Sequence, residues 1–86
     1  MMQRPARVSI SYCLECGYQP YAFALAEALI NELQLMLSAV ELVPWLNGAF
    51  DVRINGDLVH SMYRDGGFPE HAAMIEAARS RLTSPV

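Results

Sequence analysis

The sequence predicts an α/β domain in which a four-stranded mixed sheet is covered on one face by two helices. Three observations carry that prediction. An alternating run near the N-terminus passes into a long stretch of apolar residues at three- and four-residue steps. Asn55-Gly56 separates two further strand-like runs, and Gly66-Gly67-Phe68-Pro69-Glu70 introduces a last periodic stretch. At 86 residues and 53% hydrophobic, the chain has the material for one domain spanning 1–86 and no second.

The first element is Arg7 to Tyr12, where Val8, Ile10 and Tyr12 share one face and Arg7, Ser9 and Ser11 the other. Cys13 to Gln19 reads as a loop. A helix follows from Pro20 to about Leu37, with Ala22, Ala26, Leu29, Ile30, Leu33 and Leu37 on its apolar side and Pro20 in its first turn, where no amide is needed. Ala39 to Val43 is rich in β-formers and stopped by Pro44, which predicts a second strand with Val40 and Leu42 inward.

Ala49–Ile54 and Asp57–Met62 then form a hairpin, because Asn-Gly enters positive φ easily and so makes the tightest turn. Counting from that turn pairs Arg53 with Leu58, Val52 with Val59 and Asp51 with His60, which puts His60, Leu58 and Met62 on the face away from the helices. The last helix has Pro69 in its first turn and Ala72, Ile75, Ala78 and Leu82 as its stripe. A strand-helix-strand unit demands parallel strands, and the hairpin adds antiparallel ones. The helices then cover Val8, Ile10, Val40, Leu42, Phe50, Val52 and Ile54. Ser9, Ser11, Glu41, Asp51 and Arg53 are left on a wetter face open to a partner protein or a second copy.

Composition narrows the function. Nine acidic against six basic residues, a net charge of −3 and no lysine exclude a nucleic-acid groove, whose affinity needs clustered cations. The six arginines, Arg4, Arg7, Arg53, Arg64, Arg79 and Arg81, are scattered. The most apolar stretch, Tyr21 to Leu46, is interrupted by Glu27, Glu32 and Glu41, so no membrane span is predicted. The first residues lack the apolar core of an export signal, and the expected location is cytoplasmic.

In such a compartment two cysteines point to redox, sensing or metal chemistry rather than to a staple. Cys13-Leu14-Glu15-Cys16 stands where the first strand gives way to the first helix. Two thiols three positions apart can close an intramolecular disulfide, and the half-positive helix end favours the thiolate that attacks in exchange. A loop this short stabilises a fold by at most about 2 kcal/mol in the chain-entropy model, too little for a structural bridge to explain it. Zinc needs four ligands, and only His60 and His71 could complete the set, at a spacing that matches no finger. The expectation is therefore catalytic Cys13 and Cys16, with no cofactor and no metal.

Four segments together resemble the selenoprotein W-like group, the Rdx family, which is similar to thioredoxins in fold. They are Tyr12-Cys13-Leu14-Glu15-Cys16-Gly17-Tyr18, Gly48-Ala49-Phe50-Asp51-Val52, Asn55-Gly56-Asp57-Leu58-Val59-His60-Ser61 and Gly66-Gly67-Phe68-Pro69. The resemblance implies a thioredoxin-like βαβββα domain acting as a thiol-disulfide oxidoreductase on protein or small-molecule thiols and disulfides. Many members carry selenocysteine at the position of Cys16, so this chain resembles a cysteine-containing version, in which sulfur is the slower nucleophile. That correspondence makes Cys16 the attacking group and Cys13 the resolving one, whereas thioredoxins attack with the first cysteine. Charge alone leaves the order open, because Glu15 raises thiolate pKa values while the helix end lowers them. The family pattern often has a basic residue after the hairpin serine, where this chain has Met62.

A thioredoxin places a cis-proline before the strand facing its motif; here Gly48 precedes the third strand and Pro44 lies too early. Substrate recognition is expected instead from Tyr18, Phe68 or Trp45. Trp45 and Leu46 read either as an anchor for a partner or as a cap on the core edge, and Tyr12, Tyr18 and Tyr21 as packing around the motif. The competing function is a redox-dependent interaction module, in which the state of the cysteine pair controls partner binding.

Overall fold

The computed structural model describes residues 5–82; Arg4 and both extremities of the expected 1–86 domain lie outside them. Strand β1 (Ala6–Cys13) runs through the middle of a four-stranded sheet of order β2-β1-β3-β4. Its alternation is as the sequence predicts: Ala6, Val8, Ile10 and Tyr12 are buried while Arg7 is exposed. β2 (Leu37–Trp45) lies parallel to it, with Val8 opposite Val40 and Ile10 opposite Leu42. β3 (Phe50–Ile54) lies antiparallel on the other side, with Ile10 opposite Val52 and Tyr12 opposite Phe50. β2 is longer than the sequence suggests and includes Pro44, which an edge strand tolerates because only one side of its backbone is paired.

Helix α1 (Gln19–Leu33) buries Ala22, Leu25, Ala26, Leu29 and Leu33. Two expectations are corrected here. Leu25 is 1% exposed and belongs to the stripe, whereas Ile30, roughly 80° round the helix from Ala22 at 100° per residue, is 50% exposed. The helix also stops four residues early: Gln34 takes φ 49°, a 3₁₀ turn covers Gln34–Met36, and Leu37 already belongs to β2. No glycine or asparagine marks that end, so the sequence carries no stop signal there.

The hairpin turn is as expected, with Asn55 at φ 53° and Gly56 at φ 90°, the pair of left-handed residues a two-residue turn needs. Asn55 also fastens the turn to β1: its amide donates to the Arg7 carbonyl at 2.8 Å, and its Oδ1 accepts from the Arg7 amide at 2.9 Å. The expected pairing holds for Arg53 with Leu58 and then fails. A bulge leaves Val59 unpaired, so β4 (Asp57–Ser61) sets His60 opposite Val52 and Ser61 opposite Asp51. One extra residue reverses every later side chain, and His60 turns to the covered face, where it is buried. Met62 opens a single helical turn, α2 (Met62–Asp65), and packs partly against the core instead of lying on the open face.

The final helix, α3 (His71–Leu82), buries Met74, Ala78 and Leu82; Met74 takes the place the sequence reading gave to Ala72, which is exposed. Its first backbone bond runs from the Met74 amide to the Glu70 carbonyl, which leaves Pro69 just outside. Both α1 and α3 pack on the face carrying Val8, Ile10, Phe50, Val52 and Ile54. Neither α1 nor α3 covers the opposite face, where Arg7 pairs with Glu41 at 2.8 Å and Ser9, Ser11 and Asp51 are half-buried among their neighbours. Among the described residues no helix is long and apolar enough to cross a membrane.

Candidate functional site

Cys13 is the last residue of the central strand, and sheet geometry holds it from two sides. Its amide donates to the Ala49 carbonyl at 2.8 Å, its carbonyl accepts from the Tyr18 amide at 3.3 Å, and its register partner in β2 is Trp45. Past Cys13 the chain leaves the sheet. The Leu14 amide still reaches the Trp45 carbonyl at 3.1 Å, and the Gly17 amide turns back to the Leu14 carbonyl at 3.1 Å. Gly17 sits at φ 77°, where a side chain would be strained, so a glycine is what lets the turn close.

That turn brings the two predicted cysteines together. Cys13 and Cys16 are joined in a disulfide with their Cα atoms 5.3 Å apart, inside the range a bridge requires. The two halves differ in access. Cys13 is 0% exposed, walled in by strand ends, while Cys16 lies exposed on the loop between Glu15 and Gly17. α1 starts three residues beyond Cys16 with no acidic side chain in its first turn and no side-chain cap at Tyr18, so neither of these offsets the half-positive helix end.

Apolar surface flanks the disulfide. Leu14 is 51% exposed and Trp45 58%, and Leu46 beside them is half-exposed, so the end of β2 presents its indole to solvent instead of tucking it under the core. Ala49 precedes β3 with a trans peptide, and the loop before it is tied to α2 by the Tyr63 hydroxyl, which donates to the Asn47 carbonyl. On the other side of the motif Phe68 stacks on Tyr21 with ring centres 4.0 Å apart and meets Tyr18 and Phe50 edge-on at 4.9 and 5.1 Å. The rings of Tyr21, Phe50 and Phe68 border an open groove of about 340 Å³, mainly apolar, between Pro20 and Tyr21 of α1 and Phe68, Pro69 and His71. Tyr18 and Trp45 therefore stand at the motif as expected, and Phe68 joins it through Tyr18. Tyr12 is a buried core residue.

The two histidines do not approach the cysteines as a ligand set. His60 Nε2 donates to the Gly67 carbonyl at 2.9 Å and Nδ1 lies 3.6 Å from Asp65 Oδ2, while His71 opens α3. Among the described residues no group of three or more His, Cys, Asp or Glu side chains is placed to hold a metal ion. Asp65 itself is held at a pKa of about 2, chiefly by its hydrogen bonds from Arg64 and then from the Ser61 amide. The same pairing raises Arg64 above its ordinary value. This His60-Asp65-Gly67 arrangement escaped the sequence reading because the bulge that creates it has no composition signal.

Residues 7–80 match the family model of the Rdx family. The chain is 36% identical over 75 residues to migration and invasion enhancer 1 of Bos taurus, an alignment covering 85% of this chain and 62% of that protein. It is 37% identical over 62 residues to selenoprotein W of Mus musculus, covering 71% of this chain and 70% of that one. The chain thus spans less than two thirds of the length of the migration and invasion enhancers it matches. Among solved structures it is similar to a Bordetella parapertussis protein, with TM-score 0.87, 33% identity and 92% and 100% of the two chains covered. A selenoprotein W-related protein from Vibrio cholerae gives TM-score 0.88 at 25% identity, covering 92% and 99%. The architecture is the thioredoxin-like α/β fold that these neighbours share.

Proposed function

We propose that this chain, which belongs to the Rdx family, is a thiol-disulfide oxidoreductase acting through Cys13 and Cys16, as one domain over residues 1–86. The observation that carries the reading is the unequal access of the two sulfurs in one bridge, at the junction of the central strand with a helix. Exchange requires the attacking sulfur to meet a foreign disulfide in line, which only an exposed thiolate does. Cys16 is therefore the sulfur that meets substrate, and Cys13 the one that resolves.

The steps balance as follows. The Cys16 thiolate attacks one sulfur of a substrate disulfide, forming a Cys16-substrate bond and expelling the other substrate sulfur as a thiolate. Cys13, deprotonated, then attacks the Cys16 sulfur, closes the Cys13–Cys16 bridge and releases the second substrate thiolate. The pair has given up two electrons and the substrate has gained them; two equivalents of a small-molecule thiol, or a protein dithiol, regenerate the Cys13–Cys16 dithiol by the reverse exchange and leave as a disulfide. The cytoplasm, with its reducing thiol pool, suits that cycle. No metal or cofactor takes part. The test is thiol trapping: Cys13→Ser should hold a stable mixed disulfide on Cys16, and the wild type should turn over a disulfide at the expense of added glutathione. Absence of both the adduct and turnover would sink the reading.

A second reading is favoured by the exposed Leu14, Trp45 and Leu46 around the bridge. Because Leu14 lies inside the four-residue loop and bonds to Trp45, opening the disulfide would rearrange this apolar surface and change its affinity for a partner protein. In that case the protein oxidises once and alters partner binding, with no catalytic turnover. The sheet face away from α1 and α3 offers a further surface to a partner or a second copy.

A further inference from the structure

We infer that His60 is a positioning residue: it holds the Gly66–Pro69 loop, and through Phe68 it sets the aromatic wall beside the exchange site. The functional consequence rests on the exchange chemistry proposed above, but the positioning itself does not.

The argument starts at the bulge. With Val59 unpaired, His60 faces inward opposite Val52 rather than outward opposite Asp51, so a ring the hairpin count assigns to solvent is buried. A buried imidazole needs partners for its nitrogens. The Gly67 carbonyl can only accept, so Nε2, 2.9 Å away, must carry a proton. Nδ1 faces Asp65 Oδ2 at 3.6 Å, and that carboxylate is fixed in turn by Arg64 and by the Ser61 amide at 3.0 Å. The ring thus grips the loop through Nε2, while Nδ1 lies beyond hydrogen-bond distance of Asp65.

The loop needs that grip. Gly66 and Gly67 both have left-handed backbones, at φ 71° and 87°, and glycine surrenders more conformational freedom on ordering than any other residue. Their amides bond within α2, to the Met62 carbonyl at 2.9 Å and to the Met62 thioether at 3.1 Å. The His60 ring adds a bond from the sheet, at the carbonyl that immediately precedes Phe68. Phe68 then lies against Tyr21, Tyr18 and Phe50, and Tyr18 is the residue whose amide caps the Cys13 carbonyl. A contiguous series of bonds and ring contacts runs from His60 to the cysteine loop, although His60 itself touches neither sulfur.

The experiment has two arms. In the first, wild-type protein labelled with nitrogen-15 should show His60 as the Nε2–H tautomer, and ring-to-ring nuclear Overhauser effects should connect Phe68 with Tyr21. His60→Leu, which keeps the bulk and removes both nitrogens, should lose those effects. His60→Gln, whose amide can donate to Gly67, should restore them. In the second arm, exchange with a phenylalanine-flanked peptide disulfide, with glutathione as reductant, should show KM raised about fivefold in His60→Leu, the equivalent of one lost neutral hydrogen bond. Its kcat should stay within about twofold and His60→Gln should recover KM, the split expected when binding and not chemistry is disturbed. An Nδ1–H tautomer in the wild type, intact Phe68–Tyr21 effects in His60→Leu, or no recovery in His60→Gln overturns the inference. If the leucine variant fails to fold, an Nδ1–H tautomer in the wild type still overturns the inference. A wild type without turnover defeats the exchange reading while the first arm still judges His60.

Discussion

Alkylation of the reduced protein one cysteine at a time puts the assignment of roles on a quantitative footing. Cys13→Ser leaves only the exposed thiol, and Cys16→Ser leaves only the buried one. For a reagent to reach Cys13, the strand end must open, and the opening breaks three backbone bonds. These are Cys13 to Ala49 at 2.8 Å, Leu14 to Trp45 at 3.1 Å and Tyr18 to Cys13 at 3.3 Å. At roughly 1 kcal/mol net for each, the open state lies about 3 kcal/mol above the closed one. Since about 1.4 kcal/mol is a factor of ten, Cys13 should react on the order of 100-fold more slowly than Cys16. The assay is iodoacetamide labelling followed by mass spectrometry at several pH values between 6 and 9, so that rates can be compared per thiolate. If Cys16→Ser reacts as fast per thiolate as Cys13→Ser, access does not distinguish the sulfurs and the assignment of Cys16 as attacking group fails.

Further outcomes follow from the packing and the charges. Reducing the disulfide should lower unfolding free energy by no more than about 2 kcal/mol, measured by urea denaturation with and without reductant; a larger loss would mean the bridge is a structural staple. Leu25→Ala should cost about 2–5 kcal/mol and Ile30→Ala under about 1, because one side chain is 1% exposed and the other 50%; equal losses would contradict the helix face described above. Asp65, at about pKa 2 in the fold and higher when unfolded, adds stability above its unfolded value. As pH falls from about 5 toward 2 that contribution is lost. The stability difference between wild type and Asp65→Asn should accordingly shrink over that interval, in denaturation curves taken at each pH. Asn55→Ala, which removes the bond to the Arg7 amide and forces alanine to φ 53°, should destabilise by about 1–3 kcal/mol, and an unchanged midpoint would deny the turn its role in joining the hairpin to β1.

What could be read from the chain, and what could not, divides along a physical line. Strand β1, the parallel crossover, the Asn55-Gly56 turn and the position of the cysteine pair rest on local chemistry: side-chain alternation, helical period and a dipeptide that tolerates positive φ. Each of these is a property of residues adjacent in sequence. The early stop of α1 depends on Gln34 taking a left-handed backbone so that Leu37 can pair with Ala6, and no local preference of glutamine foretells that. The inward turn of His60 depends on an unpaired Val59, a residue whose own preference is for regular strand. A count from the turn assumes an unbroken ladder, and a bulge violates that assumption silently.

The same division separates the cysteine pair from the means by which its surroundings are arranged. A CxxC pair at a strand-to-helix junction is a local feature, but the difference in access between its sulfurs is set from a distance. Cys13 is closed off because β2 and β3 flank its strand end, through Trp45 on one side and Ala49 on the other, some 32 to 36 residues further along the chain. Cys16 stays open because Gly17 turns the loop back before α1 begins. Lengthening that loop by one residue should therefore disturb the pairing of roles without touching either sulfur. An alanine inserted between Glu15 and Cys16 leaves the sheet contacts of Cys13 in place but displaces the Gly17 turn. The inserted form should still protect Cys13 from iodoacetamide to a similar degree while closing its disulfide less readily, seen as a higher equilibrium fraction of dithiol in a glutathione redox buffer. If the insertion exposes Cys13 as well, the sheet is not what shields it, and the separation of one fixed sulfur from one presented sulfur is wrong.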